Sequence, residues 1–339
     1  MTVKRRCNAS IPWEASGAQQ TWTSVSVSGG MSQRIFTREP FLSDCGSHQW
    51  KWYPDRPGKG KGETKTAPIL LLLLTFCTTL VAGSFLAGGN PLARPSDLPL
   101  GLMFNVPLLA ILGVHEMGHF LAARRHRVRV TPPYFIPFLP IPPLPGTMGA
   151  LIKLKSPFPD RNALMDIGAA GPLAGAAVAI PVMVVGLMLS EVRRTTGTLG
   201  VPLGESLLFK ILSRAVLGEI PAGYDVILHP VAYAGWLGMY ITMLNLIPAG
   251  QLDGGHVAFA LIGDRFSEVA RLIPYALLLM GLASNGWFVW AALLFVMGTG
   301  HPQPLSGEVP LSPSRRAFGA AAFLLFLLCF TLDPFPIGR

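Results

Sequence analysis

Charged residues are scarce in this sequence. Only 13% of the 339 residues are Asp, Glu, Lys or Arg, while half are hydrophobic, whereas soluble domains carry about 25% charged residues. This excludes an ordinary soluble globular domain and predicts a polytopic membrane protein, with the lipid bilayer as its surroundings. The net charge of +9 could indicate nucleic-acid binding, but 10 of the 27 basic residues precede Ala67 and others flank apolar runs. Membrane topology explains that distribution better, so we expect no nucleic-acid partner.

Cysteines are also few. The four present are scattered, two of them lie inside apolar runs, and none forms a C-x-x-C pair. They therefore offer neither a disulfide framework nor a cysteine-based zinc knuckle. The residues concerned are Cys7, Cys45, Cys77 and Cys329.

The hydrophobicity is concentrated after residue 66. Residues 1–66 are polar, lack the apolar region of a signal peptide, and are expected to form a mostly disordered cytoplasmic tail, with a small folded domain as the alternative. Residues 67–300 are expected to form the functional membrane core. Residues 301–339 would add a loop and a C-terminal hydrophobic helix.

Apolar runs within these boundaries have the length of membrane helices, which need about 20 apolar residues. They predict an all-α polytopic membrane protein with about six to seven transmembrane helices. The four long runs are Pro68–Ala87, Leu100–Ala123, Ala163–Leu189 and Ile227–Ile247. The shorter ones are Arg271–Ala283, Trp287–Met297 and Ala317–Leu332.

The second run contains an H-E-x-x-H motif. His115 and His119 are four residues apart, so on a helix both imidazoles face one point and can hold a single zinc ion. Glu116 follows the first histidine, where its carboxylate could take a proton from a water molecule beside the metal. The alternative is a pair of core histidines satisfied by hydrogen bonds. Ionisable groups are expensive inside a membrane-length helix, which favours the functional interpretation.

The residues that follow this motif indicate its depth in the membrane. Arg124, Arg125, Arg127 and Arg129 form a basic cluster immediately beyond the second run. Such clusters remain cytoplasmic. The metal is therefore expected on the cytoplasmic side of the bilayer midplane.

Nine prolines occupy the next loop, Thr131–Arg161, and exclude helix across most of it. Because the loop is apolar, we expect it to re-enter the protein. One part of it, Gly146–Lys153, is typical of a short β-strand. An edge strand near the zinc could pair with an extended substrate, and a buried packing loop is the alternative.

The fourth run ends in a second motif. Asn245 begins it, Pro248 breaks the helix, and Asp253 is followed by two glycines that permit a tight turn. A carboxylate on that turn could complete a three-ligand site with His115 and His119, leaving a fourth position for water. An ordinary Asp-Gly turn is the alternative.

The two motifs, in this order and in hydrophobic helices, resemble the site-2 protease family of intramembrane zinc metalloproteases. The resemblance covers roughly Leu100–Ile262. It implies that His115, His119 and Asp253 bind the zinc and that Glu116 is the catalytic glutamate. It further implies that Asn245 positions the substrate or stabilises the oxyanion.

Two further segments indicate which branch of the family the sequence resembles. Leu109–Gly113 and Asp166–Gly175 look like the cyanobacterial and plastid branch of that family. The loop Ser190–Asp225 is too short for the PDZ domain that many bacterial relatives insert between the third and fourth spans. The small residues around Gly171 and Gly175 are of the kind that let helices pack closely.

The resemblance implies a zinc-dependent endopeptidase that cleaves transmembrane or membrane-anchored proteins in or near their membrane segments. It also implies an integral protein of the bacterial inner membrane with its site toward the cytoplasm. The competing hypothesis is a membrane zinc transporter or metal-sensing protein, which would be favoured by ionisable residues repeated on several helices. Here they are concentrated in two motifs.

Overall fold

The computed structural model describes residues 22–26, 32–36, 66–141, 144–194, 202–306 and 309–336. The chain divides into two units, Met1–Glu63 and Thr64–Arg339. In the first unit, strands β1 (Trp22–Ser26) and β2 (Ser32–Phe36) pair antiparallel. The remainder of residues 1–65 lies outside the described residues, so the disordered cytoplasmic tail stays a prediction.

The second unit is mostly helical. Its helices are α1 (Thr66–Leu86), α2 (Leu102–Arg125), α3 (Arg161–Met188), α4 (Leu207–Leu217), α5 (Pro230–Asn245), α6 (Asp253–Ile262), α7 (Phe266–Gly281), α8 (Gly286–Met297) and α9 (Pro313–Cys329). Short 3₁₀ helices at Pro95–Gly101 and Gly263–Arg265 precede α2 and α7. Its strands are β3 (Tyr134–Pro137), β4 (Thr147–Leu151), β5 (Glu191–Arg194) and β6 (Tyr224–Ile227).

Three segments of the described chain are long and apolar enough to cross a bilayer. They are Thr66–Leu86, Pro95–Arg125 and Arg161–Met188. A shorter apolar helix spans Gly286–Met297. Large hydrophobic side chains of α1 are exposed, Leu70 by 67%, which suits a surface that meets lipid. The expectation of a helical membrane protein with several spans is confirmed, whereas the count of six to seven spans is not established by these helices.

The fourth predicted run is shorter in the structure than in the sequence. Strand β6 extends to Ile227, and α5 begins only at Pro230. The side chain of His229, just before the helix, accepts a hydrogen bond from the Val231 amide at 3.3 Å. Proline at the first helical position is typical because its missing N–H has no helical partner there. The loop from Ser190 to Asp225 also contains regular structure, namely β5, α4 and the start of β6.

The proline-rich loop folds as an irregular antiparallel hairpin. Tyr134 lies opposite Leu151 and Phe135 opposite Ala150, with an irregular register before Pro137. Gly146 has a positive φ of 77° just before β4, and a Cβ atom there would lie 2.5 Å from the backbone oxygen of Thr78 in α1. The short strand expected within Gly146–Lys153 is present as β4.

Helix α3 lies at the centre of the helical unit, where it packs against α2, α5 and α6. Its inward face is made of small residues, including Gly168, Gly171 and Gly175, all buried or partly buried. Small residues allow helix backbones to approach closely in membrane proteins. Because of this close packing, α3 contacts the side chains of His115 and His119 on α2 and the first turn of α6.

Candidate metal centre

His115, Glu116 and His119 are buried on α2, each with at most 6% of its surface exposed. The two histidines are one helical turn apart, and their rings meet edge to face with centroids 4.9 Å apart. The Nε2 atoms are 3.1 Å from each other. Both imidazoles therefore point at a common position, as the four-residue spacing predicts.

Asp253 is the third member of the cluster. Its Oδ2 atom is 3.2 Å from Nε2 of His115 and 3.2 Å from Nε2 of His119. A tetrahedral zinc site with bonds of about 2.0–2.1 Å has edges of roughly 3.3–3.4 Å between ligand atoms. The three separations are close to those edges, so the three side chains fit one small cation.

Hydrogen bonding fixes the tautomer of His119 and supports the same conclusion. Its Nδ1 atom lies 2.7 Å from the backbone oxygen of Ile167, which can only accept, so Nδ1 carries the proton. In the neutral ring, Nε2 then presents a lone pair toward the carboxylate of Asp253. Two lone pairs at 3.2 Å repel unless a metal ion or a proton lies between them. A backbone carbonyl that orients a histidine in this way is typical of metal sites.

Asp253 is presented by a helix and not by the turn that the sequence indicates. It is the first residue of α6, and the turn is the preceding segment, residues 246–252. The following glycines are needed because a Cβ atom at Gly254 would overlap the backbone oxygen of Leu246. A carboxylate in the first turn also interacts favourably with the helix dipole. The prediction was wrong because the two glycines, which resemble a turn, serve close packing within a helix.

The charge of Asp253 reflects two opposing influences. Burial disfavours a carboxylate and raises its pKa, but the neighbouring imidazoles of His119 and His115 outweigh this and hold the pKa of Asp253 below its usual range. The ionised form is the one that binds a metal.

The other end of α6 is fixed by Arg161. Its guanidinium, from the first turn of α3, donates to the backbone oxygen of Ala260 at 2.6 Å and to that of Leu261 at 3.2 Å. These carbonyls lie in the last turn of a ten-residue helix, where they lack helical partners. Arg161 therefore holds the short helix that carries Asp253.

Asn245 and Glu116 flank the cluster. Asn245 is the last residue of α5, and its Nδ2 atom is 3.4 Å from Nε2 of His115. The carboxylate of Glu116 lies beside the backbone of Ile152, the residue directly after β4. The structure thus brings all five residues singled out in the sequence into one site, and it places the strand next to the expected base.

A second buried contact joins two histidines that no sequence motif relates. Nδ1 of His256 is 2.6 Å from Nε2 of His301, and the pair packs against the rings of Phe158 and Phe259. Burial lowers the pKa of His256 to about 3 and that of His301 to about 4. His301 lies 45 residues beyond its partner, and no spacing rule could have joined them.

Asp166 forms an ionic contact between three helix ends. Nε of Arg315, in the first turn of α9, donates to both of its oxygens at 2.9 Å, and Nε2 of His126, after α2, lies 2.7 Å from one of them. A carboxylate that receives donors from two other elements fixes their relative positions. The C-terminal helix is therefore attached directly to α3.

A cluster of two histidines and an aspartate that could hold a metal ion, packed among helices of membrane-spanning length, defines a membrane protein with an H-E-x-x-H motif. Residues 103–281 match the sequence profile of Peptidase family M50. The chain belongs to this family, and all five predicted site residues lie in the matched segment.

The chain is also similar to plant proteins of the plastid-like branch. It is 32% identical over 277 residues to "Probable zinc metalloprotease EGY2, chloroplastic" of Oryza sativa subsp. indica, covering 78% of this chain and 49% of the relative. It is 35% identical over 239 residues to "Probable zinc metalloprotease EGY1, chloroplastic" of Arabidopsis thaliana, covering 68% of this chain and 42% of the relative. The chain spans about half the length of the curated relatives it matches. The resemblance to the site-2 proteases and to their plastid branch is confirmed.

Proposed function

We propose that this protein is a zinc-dependent intramembrane endopeptidase. The observation that carries the proposal is the convergence of His115, His119 and Asp253 on one point, with Glu116 adjacent on a helix of membrane-spanning length. Zinc is the metal named for the relatives, and two imidazoles with one carboxylate are a donor set that suits it.

His115, His119 and Asp253 would hold one zinc ion. When bound, zinc supplies a Lewis acid that polarises the scissile carbonyl and lowers the pKa of water from 15.7 to about 7. Glu116 accepts the proton of the attacking water and delivers it to the leaving amine. Asn245, whose amide nitrogen lies beside His115, donates to the carbonyl oxygen as negative charge develops on it.

The substrates on this proposal are transmembrane or membrane-anchored proteins. A helical substrate must unwind before cleavage because its carbonyls are engaged in backbone hydrogen bonds. Strand β4 offers replacement hydrogen bonds along the edge that is not paired with β3, and its chain continues to Ile152 beside Glu116. Pairing with β4 would hold a substrate extended at the catalytic glutamate.

The proposal includes a membrane topology for the chain. Six to seven spans would include α5 and, among the shorter helices after it, α7, α8 and α9, and the proline-rich hairpin would re-enter the membrane. Residues 67–300 would form the protease core, and residues 301–339 would add the C-terminal helix. We place the protein in the bacterial inner membrane, with the site toward the cytoplasm because of the arginines after α2. The chloroplast location printed for the relatives belongs to those proteins.

The alternative of a membrane zinc transporter or sensor has no support in the family matched. Reconstitution distinguishes the two functions. Purified protein in liposomes, loaded with zinc, should cleave a co-reconstituted reporter that has one transmembrane helix, and it should accumulate no zinc inside the liposomes. Zinc uptake without cleavage would overturn the proposal.

A further inference from the structure

The hairpin that contains β4 continues beyond the site as a narrow two-stranded ribbon. Val130 and Leu154 form an antiparallel bridge. The Thr131 amide donates to the Lys153 carbonyl at 3.0 Å, and the Lys155 amide donates to the Arg129 carbonyl at 2.8 Å. Since Ile152 lies beside Glu116, this ribbon begins one residue after the catalytic position.

The ribbon is strongly basic. The register places Arg129 opposite Lys155, an arrangement of like charges that is unfavourable for strand pairing. Lys153 and Arg127 lie beside them, and all four side chains are exposed. We call Arg127, Arg129, Lys153 and Lys155 the basic end of the hairpin.

The other end of β4 has the opposite character. Thr147 and Met148 line a cavity of about 600 Å³ whose further walls include Leu237, Tyr240 and Trp290. Tyr240 lies on α5, less than two turns before Asn245. The chain of β4 therefore leads from an apolar, aromatic cavity, past Glu116, to the basic end. A substrate paired along it would meet a different environment on each side of the scissile bond.

We propose that the basic end selects substrates with acidic residues on its side of the scissile bond. This inference rests on the proposed function. Lys153 and Lys155 are one and three residues beyond Ile152, and a strand rises about 3.3 Å per residue, so the contacts would fall roughly one to four substrate residues from the cleaved bond. The substrate is thus a membrane protein with Asp or Glu at this boundary.

The positive charge of the basic end should also exclude some substrates. Membrane helices commonly carry Lys and Arg at their cytoplasmic flank, and such a flank would be repelled by the basic end. Anionic lipid headgroups are another possible partner for cations at a membrane surface. The substrate is favoured because the cations lie on the hairpin that borders the site, directly in line with the edge proposed to pair with it.

The test uses the full chain with zinc, in liposomes of neutral phosphatidylcholine. Three reporter substrates differ only in three residues beside the scissile bond, on the side of the basic end. Those three residues are acidic in the first reporter, serines in the second and basic in the third. We expect the acidic reporter to be cleaved roughly tenfold faster than the basic one, in line with a few partly exposed charge pairs. The ratio should shrink as salt is raised.

Enzyme variants make the test specific. The double variant Arg129→Glu with Lys153→Glu brings the summed charge of the four side chains from +4 to zero and should bring the ratio close to one. Arg129→Gln with Lys153→Gln leaves a summed charge of +2 and should give a ratio between that value and the wild-type one. Lys210→Glu is the matched control, because Lys210 is an exposed lysine on α4 that pairs with Glu205. It should leave the ratio at the wild-type value.

Three outcomes would overturn the inference. Equal cleavage of all three reporters by the wild-type protein would refute it while leaving the proposed protease function intact. A uniform acceleration by phosphatidylglycerol, lost in the double variant and without reporter preference, would identify a lipid site instead. Absence of cleavage of every reporter would refute the protease function itself, and the inference with it.

Discussion

Gly171 lies directly against the imidazole of His119, because a Cβ atom at position 171 would overlap its Nε2 atom. Gly175, one turn further along α3, lies close to His115 in a similar way, because a Cβ atom at position 175 would make a tight contact of 3.1 Å with the Cβ of His115. Helix α3 therefore makes room for both imidazoles by lacking side chains at two positions. The G-x-x-x-G spacing serves helix packing, and the surface it packs against is the metal centre.

Gly171→Ala should weaken zinc binding. The added methyl group must displace the His119 ring or push α3 away from α2, and changes around ligating histidines typically cost 10- to 100-fold in metal affinity. We expect a loss of at least about tenfold in zinc affinity, measured by metal analysis at buffered free zinc. Gly286→Ala is the control, since a Cβ atom at that helical position meets nothing within 4 Å. Equal affinities in the two variants would contradict the steric argument.

Glu116→Gln should abolish cleavage and leave zinc bound. Glutamine keeps the size of the side chain but cannot accept the proton of water, and general-base catalysis contributes about 10²- to 10⁴-fold. The measurements are reporter cleavage and zinc content on the same protease-free preparation. Glu191→Gln, at an exposed glutamate paired with Arg193, should behave as wild type. Undiminished cleavage in the Glu116 variant would exclude Glu116 as the base.

Asp253→Ala should remove zinc from the protein. Two imidazoles remain, and the lost carboxylate is the anionic member of the set, so the ion loses both a ligand and a compensating charge. Metal content after dialysis should fall from about one zinc per chain toward zero, while Asp225→Ala on the exposed strand β6 retains it. Full zinc occupancy in the Asp253 variant would mean that Asp253 is not a ligand.

The sequence predicted the elements of the site well because its two motifs depend on local geometry. A four-residue spacing on a helix brings His115 and His119 together whatever the rest of the fold does. The strand within Gly146–Lys153 was also identifiable, because prolines exclude helix around it. Asp253 was predicted in the right place but on a turn, since Gly254 and Gly255 are as typical of turns as of close helix packing.

The remaining contacts could not be predicted because they join distant parts of the chain. Asp166 was noted only as the start of a segment that looks like the plastid branch, and its partner Arg315 lies 149 residues later. The contact between His256 and His301 likewise depends on how the loop before α9 returns to α6. Pairings of this kind follow from the assembled fold, and no local periodicity signals them.

That histidine contact predicts how stability varies with pH. Burial holds the pKa of His256 near 3 in the folded protein, whereas an unfolded histidine has a pKa of about 6.5. The unfolded state therefore binds more protons between these values, so stability is full above about pH 6.5 and falls as the pH drops toward 3.

Thermal unfolding in detergent at pH 5 to 8 measures this dependence. His301→Phe, which preserves the aromatic packing against Phe259, leaves one buried imidazole in place of two and should make the dependence shallower. A slope that His301→Phe leaves unchanged would show that the acid sensitivity arises elsewhere in the chain.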